Sequence, residues 1–244
     1  MPLTFSHPAI VLPLNYLPKR WISLTGLIVG SVAPDFEYFG RMKVMSIYSH
    51  TWTGLLWFDL PVGLLLTFVY HDVVRDAFIS HLPKALRSRF GQYNALEWNR
   101  HFIKNTTIII LSILIGSASH LFWDSFTHIN GHFVELWNMA RPVGLFGAGI
   151  PLYKLIQHCS TLVGGAVILT AIYRMPKHLI SKPAIIWPYW LMVIGVTLSI
   201  IALRIVFGLS IHQYWNILVT AISGGILAIV LTSAFFKSRR SIGS

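Results

Sequence analysis

The stretch 119–128, SHLFWDSFTH, carries two imidazoles and a carboxylate at the end of an apolar run, TTIIILSILIGSA. His120, Asp124 and His128 stand at i, i+4 and i+8. On a helix a spacing of four places side chains about 40° apart, one turn above the next on the same face. His120 and Asp124 can therefore grip one ion, and His128, about 12 Å of helix rise from His120, lies within reach of the same cleft. Taken alone, a single His-x-x-x-Asp pair is more readily a hydrogen-bonded contact that ties two helices together.

The rest of the chain changes that balance. His7 follows Ser6, Asp35 and Glu37 lie in APDFEYF, His50 lies in YSHTWTG, and His158 sits near the start of an apolar segment. The chain has only 8 Asp and Glu, and three of them (Asp35, Glu37, Asp124) fall at the same expected depth as four histidines. Ionisable groups in a membrane interior need strong partners or a watery cavity. Neutral imidazole together with carboxylate suits Zn²⁺ or a similar divalent ion. The distribution thus favours a metal site over a purely structural polar core. Arg141, expected on the same face, is a candidate phosphate contact. Asp59, beside Pro61 in WFDLPVG, reads as a structural group that satisfies freed backbone or pairs with a neighbour. His71, His81, His101 and His178 fall among basic residues and read as solvated loop histidines.

These side chains need membrane elements to hold them. Of 244 residues 55% are hydrophobic and 11% charged, against about 25% charged in a soluble domain, and the mean hydropathy is +0.64. The fold class is all-α: a polytopic membrane helical bundle of about five to six spans, expected as one domain over 1–244. The segments 52–70, 106–128, 185–207 and 213–236 have bilayer length, and 155–173 is a fifth. The segment 21–34 is too short to cross alone, and 3–17, broken by Pro8 and Pro13, reads as a re-entrant or interfacial element packed on the bundle.

The net charge of +11 comes from 19 Lys and Arg. The basic residues flank apolar spans instead of forming a dense block, so they read as topogenic loop charge and not as a nucleic-acid surface. Arg75, Lys84, Arg87, Arg89, Arg100 and Lys104, then Arg174, Lys177 and Lys182, then Lys237, Arg239 and Arg240 share one side if all five segments cross. That side, with the C-terminus, is expected to be cytoplasmic, and the His/Asp cluster then faces outward. The single Cys159 excludes an internal disulfide and a CxxC metal site.

The order SHPA, APDFEY, YSHT, SHLFWDSFTH resembles the domain-of-unknown-function 4184 family of prokaryotic membrane proteins over most of the chain. It is more distantly similar to the LexA-regulated, membrane-bound metal-dependent hydrolases and to the all-α zinc-dependent phospholipase C and P1-nuclease fold. The resemblance implies that His7, Asp35, His50, His120 and Asp124 are metal ligands, with His128 a further one and His158 an additional candidate. The soluble zinc phospholipases carry an acidic residue four positions beyond the late histidine, where this chain has Leu162. One or two divalent ions, zinc first, are therefore expected instead of three.

The expected activity is metal-dependent hydrolysis of a phosphoester, on a phospholipid or lipid-linked phosphate at the outer face of a prokaryotic cytoplasmic membrane. Glu37, two residues past Asp35, is the candidate base for the attacking water, or else an outer partner of a ligand histidine. The alternative is a non-enzymatic metal-binding membrane protein, a transporter or a sensor. The apolar inner stretches 106–118 and 190–203 give a transport path little to run along.

Overall fold

The structure, a computed structural model, describes residues 4–145, 148–178 and 186–242. Lys182 of the basic linker lies outside the described residues. The helices in chain order are α1 (Pro8–Val11), α2 (Leu24–Val32), α3 (Phe36–Arg41), α4 (Leu60–Phe68), α5 (Arg75–Ser80), α6 (Lys84–Phe90), α7 (Trp98–Asp124), α8 (His132–Leu136), α9 (Leu152–Arg174), α10 (Trp187–Val206) and α11 (Tyr214–Ile242). One antiparallel hairpin pairs β1 (Pro142–Leu145) with β2 (Ala148–Pro151).

Four helices are long and apolar enough to cross a membrane: Trp98–Asp124, Leu152–Arg174, Trp187–Val206 and Tyr214–Ser238. The protein is a helical membrane protein, as its composition requires. The expected span over 52–70 is helical from Leu55, but it opens with a π-helical turn, Leu55–Asp59, and closes with another, Val69–Val74. Pro61 accounts for the first. It has no N–H for the ordinary helical bond, and Leu60 N–H reaches back five residues to the Leu55 carbonyl. Asp59 is fully buried in that turn. α2 has nine residues, about 14 Å of rise, and so cannot cross by itself.

The chain packs as two compact units. The first comprises residues 1–35, 47–64 and 105–174. Ser23 caps α2 by accepting from the Gly26 N–H at 3.2 Å, and its own N–H donates to Ser112 Oγ of α7 at 2.8 Å. Small residues let the two backbones touch. A Cβ on Gly30 would lie 2.1 Å from the Ile113 carbonyl oxygen, and one on Gly116 would lie 2.4 Å from that of Leu27. Such close approach is how helices associate where lipid removes the hydrophobic drive between them. The N-terminal 3-10 turn Thr4–Ser6 and α1 pack on α2 and α9. Ser6 Oγ donates to the Thr161 carbonyl at 3.1 Å, over the bare α-carbon of Gly164.

The second unit comprises residues 36–46, 65–104 and 175–244. α10 and α11 pair along it, around a core of Ala77, Tyr189, Val193 and Ala228. Two histidines expected to be solvated are instead buried here. His71 stacks on Trp98, with centroids 4.0 Å apart, and accepts from Arg75 Nη1 at 3.2 Å. His81 stacks on Tyr189 at 4.6 Å, and its Nδ1 donates to the Ala77 carbonyl at 2.6 Å. The reason is that residues 69–80 continue as helix where charge density suggested a loop. Each imidazole meets, through Nδ1, a group four residues away, one helical turn along.

Candidate metal centre

Every histidine and aspartate of the opening cluster belongs to the first unit. His7 ends the 3-10 turn that begins at Thr4 and caps α1. Asp35 closes the 3-10 turn Ala33–Asp35 that follows α2. His50 lies in the irregular segment before the π turn, and His120 and Asp124 occupy the last turns of α7. His128 remains on the same helical path, its N–H donating to the Asp124 carbonyl at 3.1 Å. The glycine-mediated contact of α2 with α7 brings Asp35 to the depth of His120.

His120 Nε2 lies 3.2 Å from Asp124 Oδ2 and 3.6 Å from Asp35 Oδ1. His50 Nε2 lies 3.6 Å from the same Asp124 oxygen and 3.5 Å from the same Asp35 oxygen. Two ligands, each about 2.05 Å from a tetrahedral zinc, stand roughly 3.3 Å apart. Each imidazole nitrogen thus stands from each carboxylate oxygen at a spacing that a shared cation would accept, mostly too long for hydrogen bonding. Two triads, His7–Asp35–His120 and His50–His120–Asp124, each bring their donor atoms within 4.8 Å of one another. Even at 3.2 Å the His120–Asp124 contact is not aligned as a hydrogen bond: His120 Nε2 is buried without a hydrogen-bond partner, as is Asp35 Oδ1. Orphaned polar atoms of this kind are rare and costly in a packed interior, and one cation between them would satisfy them together.

Each of these candidate ligands is oriented from behind. His120 Nδ1 donates to the Ser31 carbonyl at 2.8 Å. A carbonyl can only accept, so the neutral ring carries its lone pair on Nε2, toward the cluster. Ser49 Oγ meets His50 Nδ1 at 2.9 Å, and Thr4 Oγ1 donates to Asp35 Oδ2. Outer partners of this kind fix ring orientation and tautomer at metal sites. Asp124 has a second front: its Oδ1 lies 3.6 Å from His7 Nε2 and 3.4 Å from His128 Nδ1. The His7 ring stacks on that of His120 at 3.8 Å. Burial, with His120 beside it, holds the imidazole of His7 down to about 3, the neutral form a ligand needs. Burial opposes charge on His50 as well, but Asp124 and Asp35 outweigh it and push the imidazole up to about 9. Two buried carboxylates call for positive charge between them, from a proton or from a cation. The His50 and His128 side chains are 20% and 31% exposed, against 1% or less for His7, Asp35 and His120, so the cluster meets its surroundings through His50 and His128.

The remaining sequence candidates stand elsewhere. His158 is exposed on α9, and Arg141 is exposed just before β1. Neither joins the cluster. Glu37 lies in the second unit, where Oε1 pairs with Arg41 at 2.9 Å and Oε2 accepts from Ser46 Oγ at 3.1 Å. The sequence reading passed over Thr4, Ser31, Ser49 and Thr127. For Ser49 and Thr127 a signal existed, a hydroxyl residue directly before a histidine: Thr127 Oγ1 sits 3.3 Å from His128 Nδ1. The same dipeptide at Ser119 carries no such contact, since that hydroxyl donates to the Gly116 carbonyl.

Apolar membrane-length helices, with a buried His/Asp cluster in the first unit, define an α-helical membrane protein with a candidate metal centre. The chain belongs to the family described as domain of unknown function DUF4184, whose model matches residues 1–234. No curated protein and no solved structure matches it.

Proposed function

We propose that the protein is a membrane-bound, metal-dependent hydrolase of a phosphoester carried by a phospholipid or a lipid-linked phosphate. The observation that carries this reading is the convergence of His50 Nε2, His120 Nε2, Asp35 Oδ1 and Asp124 Oδ2, each of the two imidazole nitrogens lying 3.2 to 3.6 Å from each of the two carboxylate oxygens. They would hold one divalent cation, zinc first, and His7, with His128 through Nε2, its Nδ1 donating to the Asp124 carbonyl at 3.2 Å, would serve a second. A cation held there supplies Lewis-acid charge for phosphoryl oxygens and makes a water molecule more acidic.

The chain's own groups set the rest. The carboxylates and histidines fix where the reacting phosphoryl group can sit, and the open edges of His50 and His128 give it an approach. Glu37 is the proposed base. Both of its oxygens already accept hydrogen bonds, so it would exchange one of them for the water. Arg141 is the proposed phosphate contact. The flanking basic segments support a reading with the C-terminus in the cytoplasm of a prokaryotic cell and the cluster toward the outer face of its inner membrane. The engagement of Glu37 by Arg41 and Ser46 favours one second reading, a metal-binding sensor or transporter without catalysis.

Metal analysis of the purified protein, followed by phosphate release from a panel of lipid phosphoesters, tests the proposal. Stoichiometric zinc, manganese or iron with turnover is the expected result. Absence of bound metal sinks both readings, and metal without turnover on any lipid leaves the sensor or transporter. Glu37→Gln should abolish turnover with metal content unchanged; full turnover in that variant removes Glu37 from the mechanism.

A further inference from the structure

We infer that Thr4 is a positioning residue for the metal centre, holding Asp35 so that one chosen oxygen faces the cation. The inference rests on the metal-site reading above and adds a residue to it. Thr4 Oγ1 donates to Asp35 Oδ2 across 31 positions of sequence, and both side chains are buried, Thr4 at 5% and Asp35 at 1% relative exposure. The other oxygen, Oδ1, has no hydrogen bond and is the one that faces His50 and His120. A carboxylate rotates about its last torsion over a broad, roughly two-fold well. Without an external donor, either oxygen or both could turn toward the ion. The Thr4 hydroxyl removes that freedom and leaves Asp35 to bind through a single oxygen.

The placement of Thr4 is itself secured. The turn Thr4–Ser6 is tied to α9 by Ser6 Oγ on the Thr161 carbonyl, and the bare α-carbon of Gly164 leaves room for it. One short turn therefore delivers two groups. His7 comes to the cluster directly, and Thr4 acts on Asp35, which the turn after α2 supplies.

The test is Zn²⁺ titration against a chromophoric chelator in detergent, with wild type, Thr4→Val and Thr4→Ser. Valine keeps the shape and removes the hydroxyl; serine restores it. Outer partners of metal ligands typically account for 10–100-fold in affinity, so T4V should bind Zn²⁺ about 10–100-fold more weakly and T4S within about threefold of wild type. T4V should also melt below wild type without metal, because a buried carboxylate oxygen loses its donor, and the Zn²⁺ affinity of the folded protein is the readout that a merely structural role would leave unchanged. T4V binding as tightly as wild type overturns the inference, as does T4S binding as weakly as T4V. If T4V does not fold, Thr4→Ala takes its place with the same two outcomes. A wild-type protein that binds no Zn²⁺ overturns the metal reading itself, a result distinct from all of these.

Discussion

Asp124 carries more of the cluster than any other side chain, because its two oxygens face different histidines: Oδ2 meets His50 and His120, and Oδ1 meets His7 and His128. Asp124→Ala and His120→Ala should each abolish stoichiometric metal, with affinity falling by more than the roughly 100-fold expected for an outer partner. Metal analysis of the purified variants checks this. Protons compete with the cation at the same place. With His50 pushed up to about 9 by the two aspartates, a proton must leave it for a cation to bind at lower pH. Zn²⁺ affinity should therefore climb between pH 6 and 8, by about tenfold per unit where one proton is released, and a flat titration profile would remove His50 from the ligand set. The His-x-x-x-Asp pair was readable from sequence because helical spacing makes neighbours of residues four apart. Thr4 was not, since its hydroxyl meets a residue 31 positions away and no spacing rule relates the two.

At the level of elements, the contact of α2 with α7 decides where Asp35 stands. Gly30→Ala would place a methyl carbon 2.1 Å from the Ile113 carbonyl oxygen, which the two helices can relieve only by separating. The expected cost is about 1–3 kcal/mol of stability, read as a lower thermal midpoint, together with weakened Zn²⁺ binding as Asp35 withdraws. A G30A protein with normal metal affinity would show that Asp35 is placed by something other than this packing. The long spans were legible because twenty or so apolar residues leave few alternatives. Residues 69–80 were not: Asp72, Arg75 and Asp76 look like a solvated loop, yet Arg75 is buried, with its guanidinium on Asp76 and on the Leu96 carbonyl. Charge pairing inside a helical segment cannot be told from loop charge by composition.

For the molecule as a whole, all the clustered ligands fall in one of its two compact units. Zn²⁺ that binds the folded form alone stabilises it in proportion to the logarithm of its concentration. Hydrogen exchange followed by mass spectrometry should show this as added protection, upon zinc addition, in peptides covering residues 4–7, 31–35, 49–50 and 117–128. Peptides from α10 and α11 should change least. Equal protection in both units would mean that the ion binds elsewhere or acts on the entire fold. Composition and loop charge made the membrane class legible, whereas the division into two units was not, because each unit is assembled from stretches far apart in the chain.

That scattered origin bears on biosynthesis. His7, Asp35 and His50 all leave the ribosome well before His120 and Asp124, which sit at the far end of α7. A nascent chain that ends before His120 can form the Thr4–Asp35 and His50–Asp35 contacts but lacks His120 and Asp124, around which the cluster is built. The cation proposed for this cluster would then load only after α7 is seated, late in the assembly of the first unit.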